Sequence, residues 1–188
     1  MKKLIFKGAA TALITPMTEK GKINFPVLEQ LLELQIEGKA DAVVIAGTTG
    51  EASTLSDEEH VMLVEKAVKQ VGGRIPVIAG AGSNDTAHAV WMSKACEKAG
   101  ADALLHVTPY YNKASQQGLY LHFTACAQAT SLPIILYNVP SRTGVNICPS
   151  TYKRLSGNSN IAACKEASGN LSQMAETAAL CGDDLVIY

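Results

Sequence analysis

The sequence predicts an α/β fold of the (β/α)8 TIM-barrel class that stops in its seventh strand. Three observations predict it. Short, continuous apolar runs alternate with helical patterns, which marks parallel strands covered on both faces. No G-x-G-x-x-G follows the first run, where a doubly wound dinucleotide fold would carry it. Polar and reactive residues gather instead after the ends of several different strands, where a barrel places its active site. A closed barrel needs about 250 residues. The chain has 188, so one incomplete barrel domain over residues 1–188 is expected, with the last strand and its flanking helices absent.

The elements follow in order. GAATALITP, from Gly8, is an apolar run closed by Pro16 and reads as a buried strand followed by a loop. Leu28, Leu31, Leu32 and Ile36 share one side of a helix that stops near Gly38. DAVVIAG, Asp41 to Gly47, is the second strand and runs into the loop TTGEAST. Ser56 and Glu59 form a capping box, and Val61, Val64, Val68 and Val71 carry that helix to Gly72 and Gly73. Strand three is Pro76 to Gly82, with a helix from Asn84 to Ala99 behind it. Strand four, Ala103 to Pro109, leads through YYNKAS to a helix over about 116–129. Strand five is Pro133 to Pro140, and a short helix spans Pro149 to Leu155. Strand six carries Lys165 and is followed by a helix from Asn170 to Leu180, and DLVIY begins strand seven. EGKADAVV near Glu37 and KAGADALL near Lys98 form a weak internal repeat, the same helix stop and strand start two βα units apart. The crossovers are expected to be right-handed.

Hydrophobic residues at 47% and charged residues at 18% suit one globular domain with a sizeable core. A net charge of -1 gives no electrostatic case for nucleic acid or an anionic membrane. The five cysteines are odd in number and show no C-x-x-C spacing, so they read as packed thiols in a reducing compartment. In MKKLIFKGAATALIT, Lys7 breaks the apolar run after three residues, too soon for a signal peptide. That segment reads as the lead-in to strand one. No stretch is long enough to span a membrane, and a cytoplasmic location is expected.

Strand six carries the residue that organises the rest. Strand side chains alternate faces, so Ile161, Ala163, Lys165 and Ala167 share one face and Cys164 and Glu166 the other. A lysine among small apolar neighbours is desolvated, which lowers its pKa and makes the neutral amine accessible. A neutral amine can attack a carbonyl and form a Schiff base. Alternatively the ammonium snorkels to water from the strand end. The other pieces are equally double-edged. GTTGE, Gly47 to Glu51, can aim N–H groups and hydroxyls at a carboxylate or phosphate, or be a plain tight turn. Tyr110 and Tyr111 can be packing residues. Tyr137 shares a face with Ile135 and would meet Lys165, where a phenol can shuttle protons. Arg142, on a loop beyond Pro140, offers a carboxylate a fork or simply faces solvent. Together they form one constellation, and no carboxylate pair, metal-ligand cluster or Ser/His/Asp set competes with it. His60, His88, His106 and His122 are scattered and read as surface or packing residues.

GTTGE, TPYYN, YNVPSRTG and KEASGN, in this order and spacing, resemble the dihydrodipicolinate synthase (4-hydroxy-tetrahydrodipicolinate synthase) family of pyruvate-dependent class I aldolases. The resemblance covers the whole chain. It implies a lyase that condenses pyruvate with aspartate semialdehyde, the first step towards diaminopimelate and lysine, with no cofactor and no metal. It implies Schiff-base formation at Lys165, proton transfer by Tyr137, and a relay through Thr49 to Tyr111. It places Thr48 and Thr49 on the pyruvate carboxylate and Arg142 on that of the semialdehyde. Tyr111 would enter a neighbouring subunit's site, implying a homodimer or homotetramer. His60, Asn84 and Tyr110 resemble the site where lysine inhibits sensitive members, but His88 stands where those carry a glutamate. The family's further C-terminal helices would also be absent. Two rivals are a sister aldolase such as N-acetylneuraminate lyase, against which Arg142 speaks, and an inactive truncated fragment.

Overall fold

The computed structural model describes residue 2 and residues 4–188; Met1 and Lys3 of the expected lead-in lie outside the described residues. The sheet has seven strands in chain order, β1 to β7. A doubly wound sheet reverses its strand order at a switch point. An unbroken order is the barrel pattern, which decides between the two architectures the sequence allowed.

The chain forms two compact units, Ile5–Gly80 with Ala95–Leu104, and Ala81–Lys94 with Leu105–Tyr188, Lys2 and Leu4. The first unit holds β1 (Ala10–Ala12), α1 (Phe25–Glu37), β2 (Ala42–Ile45), α2 (Asp57–Val71) and β3 (Val77–Gly80). Its three strands pair in parallel, Ala10 opposite Ala42 and Val43 opposite Val77. The apolar run at β1 yields only three strand residues, because Gly8 has φ 123° and Ile14 is already exposed. Asn24 caps α1 by accepting the Val27 N–H, and Leu28 and Leu32 are its buried residues. The Ser56–Glu59 capping box forms at α2, with both reciprocal hydrogen bonds present. The buried stripe of α2 is His60, Leu63, Val64, Ala67 and Val71. Val61 and Val68 are only half-buried, since the stripe at i, i+3, i+4, i+7 runs beside the valines rather than along them. Arg74 grips Glu33 of α1 with both terminal nitrogens, at 2.7 and 2.6 Å. Those bonds, with one from Gln70, hold the Glu33 carboxyl at about 2. Gly80 is obligatory: a Cβ there would lie 2.0 Å from the Ala46 carbonyl oxygen.

α3 (Thr86–Lys98) and β4 (Ala103–Val107) contribute to both units. The second unit continues with α4 (Gln116–Gln128), β5 (Ile134–Asn138), α5 (Pro140–Thr143), α6 (Pro149–Leu155), β6 (Ile161–Glu166), α7 (Leu171–Cys181) and β7 (Val186–Ile187). β5, β6 and β7 pair in parallel, with a register irregularity between Ile134 and Ile135. Ser115 caps α4 and Asn170 caps α7, each through its side chain. Lys2 donates to the carbonyls of Ser156, Asn158 and Ile161 at 2.5, 2.7 and 2.5 Å, which fixes the lead-in beneath the start of β6. No helix among the described residues is long and apolar enough to cross a membrane.

Candidate active site

The site grows from the β5–β6 pairing. β6 is apolar up to Cys164 and pairs with β5 along its length except at Ala162, and the register sets Tyr137 directly opposite Lys165. Directly opposed residues project to the same face of a sheet. The Lys165 ammonium lies over the Tyr137 ring, 4.4 Å from its centroid. Tyr137 is buried at 7% exposure, and Lys165 is half-buried. Burial pushes the Lys165 pKa below its ordinary value, so the amine is easier to deprotonate than a surface lysine. This is the pair that strand alternation led one to expect, and the structure brings it into contact.

Arg142 lies not on an irregular loop but in α5, a single helical turn, and is exposed. This corrects the expectation. Pro140 at the first helical position starts the turn, and Gly144, at φ 69°, ends it. Both are positional signals present in the sequence. The Thr143 hydroxyl braces the turn, within hydrogen-bond reach of the Val139 and Val145 carbonyls at 3.2 and 3.1 Å. Tyr111 follows β4 and is 86% exposed, with its backbone at φ 76°. A non-glycine residue held there costs about 1–3 kcal/mol. The Tyr111 N–H reaches the Thr143 carbonyl at 3.4 Å, joining its loop to the α5 turn.

Thr48 and Thr49 belong to the other unit, exposed on the turn after β2. Gly50 anchors that turn by accepting from the Thr15 hydroxyl at 2.6 Å. Ala46 and Glu51, at φ 52° and 55°, bend the chain on either side of the threonines. A short 3-10 turn, Ala52–Thr54, follows and was not anticipated. Among the described residues no three His, Cys, Asp or Glu side chains are grouped to hold a metal ion. Three of the histidines are buried in packing positions. His60 donates from Nε2 to the Gly80 carbonyl at 2.7 Å, while His106 and His122 lie in the second unit. His88 stacks on Trp91. Sequence reasoning missed Asn138 and Glu166, which stand opposite each other one step beyond Tyr137 and Lys165. A glutamate at an outward, helix-covered strand position was the available signal.

The parallel βα repeat thus carries a desolvated lysine against the face of a tyrosine ring. The model of the dihydrodipicolinate synthetase family matches residues 5–188, and the chain belongs to that family. It is 55% identical over 179 residues to a 4-hydroxy-tetrahydrodipicolinate synthase of Caldicellulosiruptor saccharolyticus, covering 95% of this chain and 61% of that protein. The crystal structure of the Acinetobacter baumannii dihydrodipicolinate synthase complexed with pyruvate superposes with a TM-score of 0.96 at 43% identity, over 98% of this chain and 63% of that one. The enzyme from Cyanidioschyzon merolae with lysine bound gives 0.95 at 43% identity, over 99% and 64%. The chain thus spans a little over three fifths of the length of the relatives it matches.

Proposed function

We propose that this chain carries the reactive centre of a Schiff-base lyase that condenses pyruvate with aspartate semialdehyde. The observation that carries the reading is the half-buried Lys165 amine under the Tyr137 ring, in a member of this family. The neutral amine adds to the pyruvate ketone, and loss of water leaves a protonated imine. The imine acidifies the adjacent methyl group, whose proton leaves to give an enamine. The enamine carbon then attacks the aldehyde of the second substrate. Electrons are held throughout by the protonated imine, so the scheme calls on no cofactor or metal.

Tyr137 moves protons to and from the lysine-bound intermediates. Thr48 and Thr49 bind the pyruvate carboxylate, and Thr49 relays between Tyr137 and Tyr111. The exposure of Tyr111 suits a side chain that enters the site of a second copy, in a homodimer or homotetramer. Arg142 takes the semialdehyde carboxylate. It supports this substrate over a polyhydroxylated sugar chain, which offers no carboxylate there. The pathway reading and five free cysteines support a cytoplasmic location.

The test is a condensation assay with both substrates. Product formation that depends on both pyruvate and aspartate semialdehyde is expected. Cleavage of N-acetylneuraminate with no condensation product would overturn the reading in favour of the sister aldolase.

A further inference from the structure

Behind the Lys165–Tyr137 pair, on the opposite face of the same strand step, sits a second buried pair. Asn138 is fully buried and Glu166 is 8% exposed. The Glu166 carboxylate accepts from Asn138 Nδ2 at 3.1 Å on each oxygen, from the Tyr152 hydroxyl at 2.8 Å and from the Ser168 N–H at 2.9 Å. Gln173 Nε2 approaches it at 3.5 Å. Asn138 also donates to Asn146 Oδ1 at 2.8 Å and accepts the Ile147 N–H at 3.1 Å. The Asn146 and Gln173 amides bond one another in both directions, at 2.7 and 3.1 Å.

We propose that Glu166 and Asn138 are positioning residues that hold Lys165, Tyr137 and the Arg142 turn in one fixed relation. The inference rests on the reading of Lys165 as the Schiff-base lysine. Three points carry it. Each reactive residue is one peptide bond from the hub, Lys165 before Glu166 and Tyr137 before Asn138. The segment that bears Arg142 leaves Asn138 and returns to it, tied at Asn146 and Ile147. The hub is also polar in one sense only. An ionised carboxylate accepts and cannot donate, and every group facing Glu166 is in place to donate to it. Asn138 cannot reverse its amide, because its oxygen already accepts from Ile147. A satisfied buried network of this kind rigidifies what it joins.

Glu166→Gln keeps the shape but turns an amide N–H2 towards other donors. The contact between Lys165 and Tyr137 should loosen, and misplacement by about 1 Å can cost about 100-fold in rate. The probe is pyruvate with borohydride, which reduces the imine to a stable lysine adduct, followed by mass in the 188-residue chain alongside its thermal midpoint. Glu166→Gln should slow adduct formation about ten-fold or more while the chain stays folded. A merely structural role makes trapping follow the folded fraction alone. Asn146→Ala, at a half-buried position, keeps the test decidable should Glu166→Gln not fold; it should slow trapping about three-fold. Folded variants that trap as fast as the unaltered chain overturn the positioning role alone. Absence of adduct in the unaltered chain overturns the functional reading, and the positioning role with it.

Discussion

Two forces act on Lys165 in opposite directions. Burial lowers its pKa, and the face of the Tyr137 ring favours the ammonium by about 0.5–2 kcal/mol. Burial pushes the Lys165 pKa below its ordinary value. With the folded pKa below the unfolded one, the unfolded chain binds more protons between the two values. Stability from this group therefore rises with pH across that window, as does the fraction of reactive amine. Tyr137→Phe keeps the ring over the amine and removes only the phenol. Turnover should fall about 10²–10⁴-fold if the hydroxyl carries protons, with little change in thermal midpoint; a loss of only a few-fold returns Tyr137 to packing. Arg142→Ala should weaken use of aspartate semialdehyde by about 1.5–3 kcal/mol and leave the pyruvate adduct intact. Steady-state kinetics against each substrate checks this, and equal damage to both steps would make Arg142 structural.

Among the elements, the place of β6 and the extent of α6 were legible. β6 is an apolar run bounded by polar turns, and α6 opens on Pro149, a favoured first helical residue. α5 is hard to read because a proline after an apolar run marks the end of a strand as readily as the start of a helical turn. The α2 capping box was legible from four residues, and Ser56→Ala should cost about 1 kcal/mol by denaturant titration. The burial of a polar seam between β4 and α3 was not anticipated. His106 Nε2 donates to Ser93 Oγ, whose own proton goes to the Ala89 carbonyl. His106 Nδ1 and His122 Nε2 are left buried without partners. Burial lowers the His106 pKa to about 3 and that of His122 to about 4. Both folded values lie below the unfolded one, so stability is lost as pH falls from about 6.5 towards 3–4. Each histidine adds up to about 1.4 kcal/mol per pH unit to that slope. His106→Gln should flatten the acid limb of a stability–pH curve; an unchanged limb contradicts the assignment.

For the molecule as a whole, the seven strands keep chain order from β1 to β7. Regulation gives an expectation at this scale. The resemblance read in the sequence sets His88, which stacks on Trp91, where lysine-sensitive members carry a glutamate, and an imidazole cannot neutralise the inhibitor's ammonium. Losing one partner of a buried charged pair costs about 2–5 kcal/mol, so lysine inhibition should be weak or absent. Strong inhibition at sub-millimolar lysine would contradict it. The central claim, that Lys165 is the nucleophile, is tested most directly by treating the protein with pyruvate and borohydride and mapping the modified peptide. The expected result is a single reduced adduct on Lys165, in the peptide that carries KEASGN. An adduct on another lysine, or none in folded protein, would contradict it.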